Sequence, residues 1–168
     1  MAAGVTYTPI SSQTLVSTTA TITFNSLGSY TDLVLVICAS SNHTDNGSRG
    51  YIRFNSDSGN NYSDTWLGAG GGIAVSNRDA PQSSIAYGVV GNVSTQFESQ
   101  IIHVMNYGNS TTYKTTLSRS SKSDGYNYGL RAMVGLWRNT NAVTSISLTC
   151  DGSYISGSTF SLYGIAAA

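Results

Sequence analysis

Apolar and polar residues alternate in short segments along much of the chain. In TATITFNSL (19–27), Ile22 and Phe24 point to one side and threonines to the other. This period of two is typical of a strand with one buried face. GYIRFNS (50–56) repeats the pattern. These segments predict β-strands.

A second kind of segment is apolar without alternation. DLVLVICAS (32–40) is continuously apolar, which predicts a central strand buried on both faces. The residue types typical of strands also dominate several other segments. Further strands are predicted at 99–107, 113–120, 128–137, 142–149 and 158–165, and weaker ones at 5–9, 62–67, 72–76 and 84–90.

Turn residues separate these segments. The dipeptides Asn46-Gly47, Asp124-Gly125 and Asp151-Gly152 tolerate positive φ and predict hairpins. Longer loops are predicted at 59–61 and 68–72, with Pro9 near an edge and Pro81 in a loop.

Many short strands, with no helical stripe of apolar residues, predict one all-β domain. We expect a single antiparallel β-sandwich, jelly-roll-like, of about eight to twelve strands. The sandwich is expected over 19–168, and 1–18 is either an N-terminal arm or an edge strand. The apolar runs are too short to span a bilayer, so no membrane partner is expected.

Charge is scarce. Only 10% of the residues are charged and the formal net charge is zero, against about a quarter charged in an ordinary soluble domain. The single Glu and two Lys disfavour helical bundles, and the lack of basic clusters disfavours nucleic-acid binding. Cys38 and Cys150 are expected to be reduced, packed thiols, with a single bridge as the alternative.

Catalytic constellations are weak. His43 falls in a turn-like segment, while His103 shares a strand face with Ile101 and Met105 and is expected to be packed or at an interface. The carboxylates that could converge from loops are Asp57, Asp64, Asp79 and Glu98, but nothing in their spacing requires it. We expect no enzyme, no metal site and no cofactor.

The chain is rich in Tyr, Ser, Asn and Gly, which binding loops favour. Tyr62, Trp66, Tyr126 and Tyr128 are therefore candidate contacts to a ligand or partner. Ordinary sheet surface and core is the alternative, because tyrosine also belongs there.

Several strings together resemble a known module. They are YTDLVLVI (30–37), YIRFNSDSGNNYS (51–63), IIHVMNYGNSTTYKT (101–115), GLWRNTNAVTSISLT (135–149) and STFSLYGI (158–165). Their order and spacing resemble a β-sandwich module of virion structural proteins in tailed bacteriophages, especially cyanophages. The resemblance covers roughly 19–165 and is weakest over 66–98.

The resemblance implies a structural role, because its motifs are strand cores and turns without a catalytic signature. A Met about eighteen residues before the matching region favours a free-standing capsid decoration or cement protein. Such a protein would act as a trimer, bound to the major capsid protein or other virion proteins, in a virion assembled in the host bacterial cytoplasm. The alternative is a tail-fibre or head-fibre tip that binds host surface glycans.

Overall fold

The computed structural model describes residues 6–44, 48–70, 73–92, 95–121 and 129–166. Twelve strands form within these ranges, and they pair into two antiparallel sheets that pack face to face. The predicted all-β sandwich is confirmed.

The large sheet has eight strands. Their spatial order is β1-β12-β3-β8-β9-β10-β5-β6. The bounds are β1 Thr8–Thr14, β3 Asp32–Ala39, β5 Tyr62–Gly70, β6 Ile73–Gln82, β8 Glu98–Met105, β9 Lys114–Ser121, β10 Leu130–Trp137 and β12 Thr159–Ile165.

The small sheet has four strands, in the order β2-β11-β4-β7. The bounds are β2 Thr19–Phe24, β4 Arg49–Phe54, β7 Ile85–Val89 and β11 Ile146–Tyr154.

The core lies between the two sheets and is built from the alternate residues that face inward. Trp137 of β10 is at its centre, stacked on Tyr62 with ring centroids 6.1 Å apart and tilted against Phe54 at 5.5 Å. A smaller cluster of Trp66, Ala86 and Met133 packs beside it under β5. Alternation in sequence therefore becomes burial of one strand face.

Three local predictions differ from the structure. Residues 68–70 continue β5 instead of forming a loop, and Pro81 lies in β6, where an edge strand tolerates proline. Asp151 and Gly152 lie inside β11 instead of closing a hairpin, and the register with β2 breaks between Thr149 and Tyr154. Gly152 has φ of 79°, so the dipeptide supplies positive φ within a strand irregularity.

Further predictions agree with the structure, and two fall on residues that the structure does not describe. Residues 59–61 form the expected loop after β4, and Cys38 and Cys150 are free thiols. β1 pairs with β12 at an edge of the large sheet, so Thr8–Thr14 form an edge strand. Asn46-Gly47 and Asp124-Gly125 lie outside the described residues.

Candidate functional site

The outer faces of the two sheets differ in chemistry. On the small sheet, Thr21 and Thr23 of β2 pair with Thr149 and Ser147 of β11. On the other side of β11, Thr149 and Ser147 pair with a tyrosine and an arginine of β4. This surface is polar, as expected for a sheet face in contact with water.

The large sheet carries apolar side chains on the face that points away from the small sheet. We call the outward-facing residues of β3, β8, β9, β10 and β5 the outer apolar face. On β3 and β8 the outward positions include Val36, Ile101 and Met105, and register places Val36 beside Ile101. The inward neighbours Leu35 and Ile102 are fully buried in the core.

Outward-facing apolar side chains continue across β9, β10 and β5. Leu117 of β9 pairs with Val134 of β10, which pairs with Thr65 of β5. One position along, Ala132 pairs with Leu67. The large apolar side chains of this face that are more than one-third exposed range from 39% to 60%: Val36, Leu67, Met105, Leu117, Leu130 and Val134. An apolar surface continuous over five strands is unusual for a solitary monomer.

Two charged residues lie on this face, on the two strands that neighbour β8, one on each side of it. Arg119 of β9 pairs with Ile101 of β8. Asp32 begins β3, next to the Leu33–Val104 pair at the other end of β8. His103 is between them, paired with Val34 on one side and Leu117 on the other.

The face is not flat around this point. A shallow depression of about 310 Å³ lies over β3 and β8, lined by Val34, Val36, Ile101 and His103 and bounded by Tyr163. Its walls are mainly aliphatic and aromatic, with His103 and Arg119 as the nitrogen-bearing groups. It therefore fits apolar side chains better than a phosphate or a metal ion.

The aromatic residues predicted as contacts are distributed differently. Tyr62 is fully buried, and its hydroxyl donates to the carbonyls of Phe54 and Asp57 at 3.3 and 3.1 Å. Burial raises the pKa of Tyr62 to about 12. The structure thus places Tyr62 in the core and offers none of its ring to a ligand.

Trp66 is also buried, at 8% exposure, and the Arg131 guanidinium lies 4.7 Å from its ring centre. One face of the indole is therefore already covered by a cation from the same chain. Tyr126 and Tyr128 lie outside the described residues.

The Asp57 carboxylate is occupied by its own loop. It accepts hydrogen bonds from the Gly59 N–H at 2.9 Å, Asn61 Nδ2 at 2.8 Å and Trp137 Nε1 at 2.7 Å. Burial raises its pKa, but these hydrogen bonds outweigh burial and leave the pKa below its ordinary value. This carboxylate holds the loop after β4 to the core.

Asp64 is a buried carboxylate on the inward side of β5, opposite Asp79 of β6. Its Oδ2 accepts the Ala86 N–H at 3.3 Å, and Oδ1 has no hydrogen-bond partner in the described part of the chain. Burial, assisted by the nearby Asp79 charge, raises the pKa of Asp64. The side chain lies beneath β7 and not in an open cleft.

The remaining candidates are dispersed. Glu98 is buried at the start of β8, His43 is half-buried in the loop after β3, and His103 lies on the outer apolar face. Among the described residues, no three His, Cys, Asp or Glu side chains come together as metal ligands would.

The outer apolar face had a signal in the sequence. In 33–37 both alternate sets of positions are apolar, and in 101–105 only His103 interrupts them. In β3 this pattern predicted burial on both faces. The structure buries one set in the core and leaves part of the other exposed, with Val36 at 41% but Val34 at 3%. Sequence alone could not show that the second set faces outward.

The described part of the chain contains no helix with the length and apolar character of a membrane-spanning segment. Comparisons with protein-family models, with curated proteins and with solved structures found no match to this chain.

Proposed function

We propose that this chain is a non-enzymatic structural subunit of a bacteriophage virion, a capsid decoration or cement protein that acts as a trimer on the outer shell. The observation that carries the proposal is the outer apolar face, on which five neighbouring strands expose apolar side chains and carry only Asp32 and Arg119 as charges. A surface of that kind suits a permanent contact better than free solvent.

The order of the strands supports the same role. The chain changes sheet at every connection except the β5–β6 hairpin and the β8–β9–β10 meander. If that meander is counted as one position, β2 to β11 follow the order of a jelly roll of two Greek keys, with β12 and β1 added at one edge. Jelly rolls are frequent in viral capsid proteins.

The mechanism would be passive. A decoration protein that binds only the assembled lattice stabilises that lattice through mass action. The scarcity of surface charge fits such contacts, because charged groups are depleted at the centre of packed interfaces. It also makes the contacts less sensitive to salt. The major capsid protein is the partner that this role implies.

The glycan-binding alternative has less support. A glycan site needs exposed aromatic faces near converging polar side chains. Tyr62 and Trp66 are buried, while the tyrosines with about half of their surface exposed, Tyr7 and Tyr113, belong to different segments. Within the described residues these four do not form an exposed aromatic cluster.

The test is the number of copies per particle, measured by quantitative peptide mass spectrometry on gradient-purified particles of the phage that encodes the chain. Hundreds of copies, scaling with the major capsid protein, are expected for a decoration protein. A handful of copies would indicate a fibre tip. Sedimentation of the chain apart from the particles would overturn both roles.

A further inference from the structure

We propose that the outer apolar face is the surface through which copies of this chain associate with each other. The copies are related by an axis that lies parallel to the face and passes over His103 of β8. This inference names a surface and a partner, and it does not depend on the virion role.

The pattern of burial in β3 supports self-association through this face. Strands that are apolar at both alternate sets of positions are ordinarily covered on both faces. In β3 the inward residues Leu33, Leu35 and Ile37 are fully buried, whereas on the other side Val36 is 41% exposed and Val34 is 3% exposed. β3 therefore has the composition of a strand covered on both faces, and the chain covers its inner face completely and its outer face only in part.

The area of the outer apolar face suits a second copy of the chain. Five neighbouring strands with about four outward positions each span on the order of 600 Å². That area, which includes polar positions such as Thr65 and Ser99, is near the roughly 800 Å² that each partner contributes to a stable interface. A small ligand would leave most of this surface uncovered, but a second sheet of equal size would cover it.

The positions of the two charged residues on the face allow copies of the chain to pair them. Arg119 and Asp32 lie on opposite sides of His103, roughly 16 Å apart by strand and residue spacing. Consider an axis that lies parallel to the face, passes over His103 and is perpendicular to the line from Arg119 to Asp32. Such an axis places each residue of one copy against the residue of the next copy that lies at the same distance on the other side of the axis. Arg119 of one copy then lies against Asp32 of another, and each charge is paired.

The face is thus complementary to itself in charge as well as in polarity. Asp32 already accepts a hydrogen bond from the Asn106 N–H, which fixes the carboxylate at this end of the face. The net charge of zero adds no long-range repulsion between copies. A dimer about a twofold axis satisfies these contacts, and so does a trimer about a threefold axis in the same position.

The test is a charge exchange, read as molar mass against concentration by light scattering after gel filtration. Arg119→Asp and Asp32→Arg each place like charges together across the axis and should weaken association about tenfold or more. The double variant R119D/D32R restores opposite charges and should recover most of the wild-type affinity. Failure of the double variant to recover any affinity, with all three proteins folded by circular dichroism, would overturn the proposal.

A second pair of variants keeps the proposal testable if Asp32→Arg disturbs the Asn106 contact. Leu117 is beside His103 on the face, and Val16 is 91% exposed in the turn between β1 and β2. Leu117→Asp should give a monomer, while Val16→Asp should keep the wild-type mass. If the two behave alike, or if wild type is monomeric at every concentration, the proposal is wrong.

These outcomes are independent of the virion test. A monomeric chain found in hundreds of copies per particle would remove this inference and the trimer of the proposed function, and would leave the decoration role in place. A self-associating chain absent from particles would do the reverse.

Discussion

At the scale of single residues, the core contains a pair of buried tyrosines whose hydroxyls order each other. Tyr87 and Tyr154 are both fully buried, with hydroxyl oxygens 2.8 Å apart. The Tyr154 hydroxyl donates its proton to the Thr149 carbonyl at 2.8 Å. Because that proton is used, the Tyr87 hydroxyl must be the donor between the two rings.

This direction predicts unequal costs for removing the two hydroxyls. Tyr154→Phe leaves a buried donor on Tyr87 without an acceptor and should lower the free energy of unfolding by about 1–3 kcal/mol. Tyr87→Phe leaves the Tyr154–Thr149 bond intact and should cost about 1 kcal/mol or less. Urea denaturation measures both, with the exposed Tyr7→Phe as control. A larger loss for Tyr87→Phe would contradict the assigned direction.

Asp64 gives a prediction that depends on pH. Burial raises its pKa in the folded chain above the unfolded value. The folded state therefore holds the proton more tightly, and stability is greatest below the unfolded pKa and falls as pH rises through the folded pKa. At pH 7 the chain carries a buried carboxylate with one oxygen unpartnered among the described residues.

Asp64→Asn should therefore stabilise the protein at pH 7, by on the order of 1 kcal/mol. The amide still accepts the Ala86 N–H and removes the charge. The gain should shrink towards pH 4, where the wild-type carboxyl becomes protonated. Thermal unfolding of the wild-type protein and of Asp64→Asn at several pH values measures this. A gain that grows as pH falls would contradict the sign.

At the scale of elements, the sequence predicted strands well and their ends less well. Alternation located β2 and β4 to within a few residues, because each buries one face against the core. Glycine and proline were misleading in β5, β6 and β11, where edge positions and a register break accommodate residues that ordinarily mark turns. Propensity is local, whereas these positions are set by neighbouring strands.

The break in β11 depends on Gly152. Its φ of 79° is strained for any residue with a side chain, and a Cβ there would lie 2.7 Å from Asn42 Oδ1. That oxygen accepts the Ser153 N–H at 2.9 Å. Gly152→Ala should cost about 1 kcal/mol or more, measured by chemical denaturation.

Gly108 is the matched control, because a Cβ there meets nothing within 4 Å. Gly108→Ala should be close to neutral. Equal losses at the two sites would show that the conformation of β11 does not require glycine at position 152.

At the scale of the whole molecule, the outer faces of the two sheets differ in polarity. The outer face of the small sheet is threonine, serine and arginine, as water requires, while the outer face of the large sheet is apolar. The sequence indicated residues such as His103 and Met105 as sharing a face, but which faces remain open depends on how strands distant in sequence pair. Of the aromatic residues predicted as contacts, Tyr62 lies in the core, which is the alternative that the sequence left open.

If other copies of the chain cover the outer apolar face, the wild-type protein must associate in solution, and its molar mass shows this. The chain has a mass of 17.7 kDa. Light scattering over a range of concentrations should give two or three times that mass, falling towards one chain on dilution. A mass of one chain at every concentration would contradict the account.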